Sequence, residues 1–124
     1  MLSKKAQYAF RALSILAKNI GNGPLPISSI VKEYPMSTKF LETILLELRK
    51  GGILGSRKGK GGGYYLLSSP ENISFAKVMR ILDPSQMELF SDDDQDWGLN
   101  RIMTEARDSK IKVLEKKTLA DLIK

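Results

Sequence analysis

A run of glycine and lysine at residues 58–63 constrains the fold of this chain more than any other segment, because it spells Lys-Gly-Lys-Gly-Gly-Gly. Glycine adopts positive φ angles without a steric penalty, so the run favours a tight reversal over a helix. Short runs with strand character lie on either side, at 53–57 and 64–67. The three segments together predict a β-hairpin with a cationic tip. The cations are Arg57, Lys58 and Lys60.

Helical spacing of apolar residues dominates the chain before this hairpin. A first helix is expected at 3–20 with Ser3 as its N-cap, and a short second helix at 28–34. A third helix is expected to begin after Ser37, a natural N-cap, and to end at the glycines 51–52. The inward residues are Ala6, Ala9, Phe10, Leu13, Leu16, Ala17 and Ile20 in the first helix, Ile30, Val31 and Tyr34 in the second, and Phe40, Leu41, Ile44, Leu45 and Leu48 in the third. Two short helices at a tight connection, followed by a hairpin, predict a winged helix-turn-helix whose second short helix enters the major groove of DNA.

The chain after the hairpin is also expected to be mainly helical. Ser74 caps a fourth helix, and residues 85–96 lack periodicity and predict an acidic loop. A long helix is expected from about Trp97, followed by a terminal turn that Thr118 caps. The inward residues of the fourth helix are Phe75, Val78, Met79 and Leu82.

The long C-terminal helix has little of its own chain left to cover its apolar stripe. Pairing with the same helix of a second copy buries the stripe and generates a two-fold dimer. Folding back onto the first helix of the same chain is the alternative. The residues assigned to the dimer contact are Leu99, Ile102, Met103, Ala106 and Val113. The sequence therefore predicts a mainly α fold with a two-stranded β wing, organised as a DNA-binding domain at 1–83, an acidic loop at 84–98, and a dimerisation helix with a terminal turn at 99–124.

The whole chain has a net charge of +6, and its positive charge is concentrated in the first half. Residues 1–67 hold eleven Lys or Arg and three acids, residues 68–98 hold two and seven, and residues 99–124 hold seven and four. This asymmetry indicates that the N-terminal part meets a polyanion, whereas a basic balance that serves only solubility is the alternative.

The composition excludes several kinds of chemistry, because the chain has no Cys and no His. Disulfides, thiolate nucleophiles and cysteine-ligated metal sites are absent, as is the commonest general base. We therefore expect no enzyme, no cofactor and no metal site. The acidic run 92–94 is more typical of a solvated loop than of a cation site, since the calcium-loop spacing is missing. No run approaches the roughly 20 apolar residues of a membrane span and no secretory signal is recognisable, which predicts a cytoplasmic protein.

The glycine run does not fit a nucleotide-binding loop. The phosphate-binding pattern requires Ser or Thr after its lysine, but Gly61 follows Lys60. The dinucleotide pattern fails as well, because Tyr64 occupies the position of its last glycine. A wing that lies against a phosphate backbone is the better interpretation.

The third helix and the hairpin together carry a recognisable pattern, made up of Phe40-Leu41-Glu42, Ile44-Leu45, Leu48, Gly52-Ile53, Ser56 and Gly59-Lys60-Gly61-Gly62-Gly63-Tyr64-Tyr65-Leu66. This pattern resembles the signature of the Rrf-two family of winged helix-turn-helix transcription regulators, which includes the iron-sulfur cluster regulator, the nitric-oxide-sensing repressor and the cysteine-metabolism repressor. The resemblance covers nearly the whole chain, and the wing motif is fairly specific. It implies a bacterial homodimer that binds partly palindromic operators, chiefly as a repressor.

The resemblance also implies roles for individual residues. Lys58 matches the wing base that reaches the minor groove, and Tyr8 with Lys4 or Lys5 suits a flanking phosphate. Glutamate accepts a hydrogen bond from cytosine N4, which gives Glu42 a base to read. A solvated helix carboxylate is the alternative for that residue. The positions that face the major groove are Ser37, Lys39, Glu42 and Thr43, with Thr38 beside them.

One departure from the family pattern concerns the signal. Sensing members carry three cysteines in the loop that corresponds to residues 85–96, and this chain has none. The usual cluster cannot be held, so the protein responds to another effector or protein partner, or is constitutive. We expect a sequence-specific homodimeric repressor without an iron-sulfur cluster. A winged-helix interaction module that has lost DNA binding is the main alternative, and an enzyme that uses Ser or Lys is a weaker one.

Overall fold

The computed structural model describes residues 2–88 and 98–124 of the chain. Within these residues the chain forms α-helices and one two-stranded antiparallel sheet, which confirms the predicted fold class. Residues 89–97, which include Trp97 and most of the predicted acidic loop, lie outside the described residues. In chain order the elements are α1 (Lys4–Lys18), α2 (Ile27–Glu33), α3 (Thr38–Lys50), β1 (Leu54–Arg57), β2 (Gly63–Leu66), α4 (Phe75–Leu82), α5 (Gly98–Lys116) and α6 (Leu119–Leu122), with 3-10 turns at Pro70–Asn72 and Pro84–Met87.

Serine residues cap the N-termini of α1, α3 and α4, as the sequence predicts. In each case the serine hydroxyl oxygen accepts a hydrogen bond from a backbone N–H three residues later, at 3.1 to 3.2 Å. Each bond satisfies a donor that has no partner inside the helix, and so fixes where the helix begins. The pairs are Ser3 with Ala6, Ser37 with Phe40 and Ser74 with Lys77.

The end of α1 differs from the expectation. The helix ends at Lys18 and Ile20 is 51% exposed, so its predicted inward position is wrong. Gly21 and Gly23 adopt φ angles of 87° and 82°, and the Asn19 side-chain amide donates to the carbonyl of Gly23 at 3.1 Å. The chain therefore turns away from the core before Ile20 reaches it.

Helix α1 runs through the core and positions α3. The helices α2, α3, α4 and α6 and the strand β2 all pack against α1. The α3 stripe Leu41, Ile44, Leu45 and Leu48 is fully buried. Each such leucine or isoleucine contributes about 1.5 to 3 kcal/mol on burial, so the orientation of α3 is strongly determined.

The hairpin forms as predicted and is held to the rest of the molecule. Strands β1 and β2 pair antiparallel in a register that places Arg57 opposite Gly63. On the other edge of β2, Tyr64 and Leu25 exchange two backbone hydrogen bonds of 2.9 Å each. This bridge ties the wing to the connection between α1 and α2 and limits how far the hairpin can swing.

The C-terminal helix α5 packs mainly on α4, and the shorter α6 packs on α1. Phe75 N–H donates to the Lys117 carbonyl at 2.9 Å, and Leu119 N–H donates to the Ile73 carbonyl at 3.0 Å. These two bonds join the connection between α5 and α6 to the start of α4. Thr118 and Asp121 form a reciprocal capping box at α6, so the predicted terminal turn is confirmed. Folding back on α1, which is the alternative to a dimer, is therefore seen for the short helix α6.

Asp83 ends α4 at the beginning of the predicted loop. Its carboxylate accepts a hydrogen bond from the Ser85 hydroxyl at 3.0 Å and lies near Ser3 and Lys110. Burial raises the pKa of the Asp83 carboxyl, but the polar groups of Ser85 and Ser3 and the positive charge of Lys110 outweigh it, and the pKa lies below its ordinary value. The following residues form a 3-10 turn over Pro84–Met87, so the first part of the predicted loop is ordered by its proline and by this network.

Candidate nucleic-acid interface

The outer face of α3 is the first part of the candidate site. The buried stripe fixes one side of the helix, so at 100° per residue the opposite side carries positions 39, 42, 43, 46 and 50, and positions 38 and 49 lie at the boundary between the two sides. All seven side chains are exposed. Lys39, Glu42, Arg49 and Lys50 form no ion pair within residues 2–88 and 98–124. Their charges are therefore available to a ligand.

Two of the predicted major-groove residues make bonds within α3. The Ser37 hydroxyl oxygen accepts the capping bond from Phe40 N–H at 3.2 Å, and the Thr43 hydroxyl donates to the Lys39 carbonyl at 3.2 Å. Ser37 retains its hydroxyl hydrogen as a donor, and Thr43 retains an acceptor lone pair and its methyl group. Both side chains thus keep groups that suit a base edge or a phosphate.

The start of α1 lies beside α3 through two side-chain contacts. The Tyr8 and Phe40 rings meet edge to face, with centroids 5.7 Å apart and an interplanar angle of 81°. Lys5 Nζ lies 2.7 Å from Glu47 Oε2. Lys4 is exposed and Tyr8 is half-buried. The predicted flanking-phosphate residues are therefore adjacent to α3, and the ammonium group of Lys5 is ion-paired with Glu47.

The wing is the second cationic element. Arg57, Lys58 and Lys60 are exposed and form no ion pair in the part of the chain that the structure describes. The wing follows α3 through Gly51 and Gly52, and β1 packs against α3. A duplex that receives α3 in its groove therefore meets the hairpin beside it.

Close backbone packing in the wing requires glycine at two positions. A Cβ at Gly63, where φ is 146°, would overlap the backbone of Leu25, and a Cβ at Gly62 would overlap the carbonyl of Arg57. Gly59 and Gly61 have φ angles of 86° and 77° at the tip. The glycine run thus sets both the turn and the contact with the body of the protein.

Sequence reasoning missed three residues of the α3 outer face: Leu46, Arg49 and Lys50. The helical spacing that identified Lys39 and Glu42 extends to these positions and could have found them. Arg49 and Lys50 also lie in the last turn of α3, where cations complement the helix dipole, which gives them a second reason to be there.

Metal ligands are not brought together in the described residues, where no group of three or more His, Cys, Asp or Glu side chains occurs. The chain also has no thiolate or imidazole to offer iron. A cysteine-ligated iron-sulfur cluster therefore does not fit this chain.

A mainly helical body, a half-exposed recognition helix and an adjacent cationic hairpin define a winged helix-turn-helix nucleic-acid-binding protein. Comparison with known proteins specifies the family. The family model described as "Iron-dependent Transcriptional regulator" matches residues 2–124, and the chain belongs to this family, Rrf2, which is the Rrf-two family that the sequence resembles. The chain is accordingly a DNA-binding transcription regulator.

Individual relatives agree with this assignment. The HTH-type transcriptional regulator CymR of Bacillus subtilis is 31% identical over 98% of this chain and 88% of its own length. The solved structure of that CymR, described as the global cysteine regulator of B. subtilis, superposes with a TM-score of 0.91 at 30% identity, over 99% of this chain and 95% of its own. The structure of T. potens IscR superposes with a TM-score of 0.84 at 30% identity, over 99% and 85% of the two chains.

No helix within residues 2–88 and 98–124 is long and apolar enough to cross a membrane.

Proposed function

We propose that this chain acts as a homodimeric, sequence-specific repressor that binds an inverted-repeat operator and holds no iron-sulfur cluster. The observation that carries the proposal is the set of exposed charges on α3 and the wing that form no ion pair within the described residues: Lys39, Glu42, Arg49 and Lys50 on α3, and Arg57, Lys58 and Lys60 on the wing. The two elements that carry them pack against each other. Such an arrangement serves a duplex, because one element inspects bases while the other binds the phosphate backbone.

The base-reading residues of the proposal are on α3. Glu42 accepts a hydrogen bond from cytosine N4, Lys39 binds guanine or phosphate, and Ser37, Thr38 and Thr43 adapt to neighbouring groups. Glu42 is exposed and unpaired within the described residues, which favours a reading role over a structural one.

The phosphate-binding residues surround this helix. Lys58, with Arg57 and Lys60, binds the backbone at or in the minor groove beside the recognised half-site, and Lys4 and Tyr8 bind a flanking phosphate. Lys5 contributes less than these residues, because its charge is shared with Glu47.

The dimer is formed by α5 in this proposal. Ile102 is 60% exposed, Val113 is 55% exposed and Met103 is 39% exposed, and Leu99 and Ala106 lie on the same helix. A second copy that covers these side chains places two recognition helices about 34 to 36 Å apart, in successive major grooves on one side of the duplex. Occupancy of a promoter by this dimer excludes the polymerase.

The chain works by binding rather than by catalysis, and does so in the cytoplasm, where its DNA lies. Its family consists of transcription regulators. Because the residues do not fit a cysteine-ligated cluster, the proposed signal is another effector or a protein partner.

Selection of bound duplexes from a random pool tests this function. We expect recovery of an inverted repeat whose half-sites lie about one helical turn apart, bound with an affinity that falls steeply as salt rises. Recovery of unrelated sequences, or no binding at low ionic strength, contradicts the proposal and favours a winged-helix interaction module. A competing mononucleotide that displaces the duplex would instead favour an anion-binding enzyme.

A further inference from the structure

Leu46 lies near the centre of the outer face of α3 and is 39% exposed. It lies seven positions after Lys39, so the two side chains project within about 20° of each other around the helix axis. The side chains of Thr43 and Lys50 project within about 60° of Leu46 around the same axis. Leu46 therefore points away from the core, toward whatever α3 binds.

An apolar side chain at this position is not explained by the core. The buried stripe of α3 is on the opposite side of the helix. The other outer residues are charged or polar, so Leu46 is a single apolar group inside a polar surface. Contact of this side chain with water is unfavourable in the free protein, and burial against an apolar group of a ligand is favourable.

The major groove offers one such group. Among the base edges there, only thymine presents a methyl group, at C5. Recognition helices read base pairs from residues spaced three, four and seven positions apart, and Lys39, Glu42, Thr43 and Leu46 have this spacing.

We propose that Leu46 is a specificity-determining residue that packs on the C5 methyl group of a thymine in each half-site. This inference rests on the proposed DNA binding. Leu46 follows Glu42 by four residues, a rise of about 6 Å along the helix, so the thymine lies about two base pairs from the pair that Glu42 reads.

Thymine-to-uracil replacement tests the contact, because it removes only the methyl group. With the full chain and its selected operator, each thymine is replaced symmetrically in both half-sites and the affinity is measured by fluorescence anisotropy. We expect replacement at one position to weaken binding about fourfold per half-site, or about fifteenfold for the symmetric operator.

Two variants assign that effect to a residue. For Leu46→Ala we expect the ratio of affinities for the thymine and uracil operators to fall to near one. For Leu122→Ala this ratio should stay as in the unaltered chain. Leu122 is a matched control, because it is 41% exposed and lies on α6. Alanine is a strong helix former and Leu46 is not in the core, so the variant retains α3, which circular dichroism checks.

Three results overturn the inference. The first is a selected half-site with no thymine near the base pair read by Glu42. The second is that no uracil replacement weakens binding by the unaltered chain. The third is that uracil replacement weakens binding by Leu46→Ala as much as binding by the unaltered chain. A recovered inverted repeat with any of these results overturns the role of Leu46 alone, whereas failure to recover any duplex overturns the proposed function as well.

Discussion

Lys5 and Glu47 form an ion pair, with Nζ and Oε2 2.7 Å apart, that joins the start of α1 to α3, the proposed recognition helix. Both side chains are about one-third exposed, so the pair contributes at most about 1 kcal/mol to stability. Its larger consequence is electrostatic, because Glu47 neutralises a cation at the edge of the proposed DNA interface.

Glu47→Gln tests this effect. The substitution releases Lys5 and removes a negative charge, so we expect it to raise the affinity for all duplexes at low salt. The slope of log affinity against log salt should become steeper by up to about 0.9, which corresponds to one additional phosphate contact. Fluorescence anisotropy across a salt series measures it. Glu71→Gln, an equal change of charge in the 3-10 turn Pro70–Asn72, is the control. An equal gain in both variants would show that net charge alone is responsible.

Lys58→Ala tests the wing. Loss of this exposed cation is expected to weaken binding about equally for specific and random duplexes and to reduce the salt slope by about 0.9. Lys112→Ala, which removes an exposed cation from α5, should change neither quantity appreciably. Unchanged affinity in Lys58→Ala would reject the wing assignment.

Glu42→Ala tests base reading. The variant is expected to lose preference at one base pair per half-site, by about 1 to 3 kcal/mol, because the acceptor for cytosine N4 is removed. Selection from a random duplex pool, followed by affinity measurements on single-base variants of the operator, provides the measurement. A selected site identical to that of the parent would leave Glu42 as a solvated carboxylate with no reading role.

Gly63→Ala tests the attachment of the wing. A Cβ at this position overlaps the Leu25 backbone and also meets an unfavourable φ angle, so we expect destabilisation of more than about 1 kcal/mol and loss of DNA affinity. In Gly59→Ala the φ angle of 86° is equally unfavourable, but no atom lies within 4 Å of the added Cβ. Thermal unfolding should therefore show a smaller loss for Gly59→Ala. Equal losses of stability in the two variants would mean that the unfavourable φ angle, and not the overlap with Leu25, causes the destabilisation.

Ile102→Asp tests the dimer. A carboxylate at this 60% exposed position on α5 leaves a single chain nearly unaffected but is unfavourable in an apolar interface, so self-association should weaken about tenfold or more. Sedimentation velocity measures the change. Leu67→Asp, at a 53% exposed leucine after β2, is the matched control and should remain associated. Dimers that persist in Ile102→Asp would place the interface elsewhere.

The sequence by itself determined the elements and their order. Serine caps, the apolar stripes of α1 and α3 and the glycine run are local signals, because a cap or a turn depends on residues only a few positions away. For the same reason the helical spacing was sufficient to identify Lys39 and Glu42 as outward residues.

Only the tertiary structure decided which charges are free and which elements meet. The Lys5–Glu47 pair joins residues that are 42 positions apart, and the Leu25–Tyr64 bridge joins residues 39 positions apart. Helix α6 packs on α1 although about 100 positions separate them. No periodicity encodes such contacts, since they depend on how the whole core assembles. The exposure of Ile20 has the same origin, because the turn after Lys18, and not the helical repeat, fixed its direction.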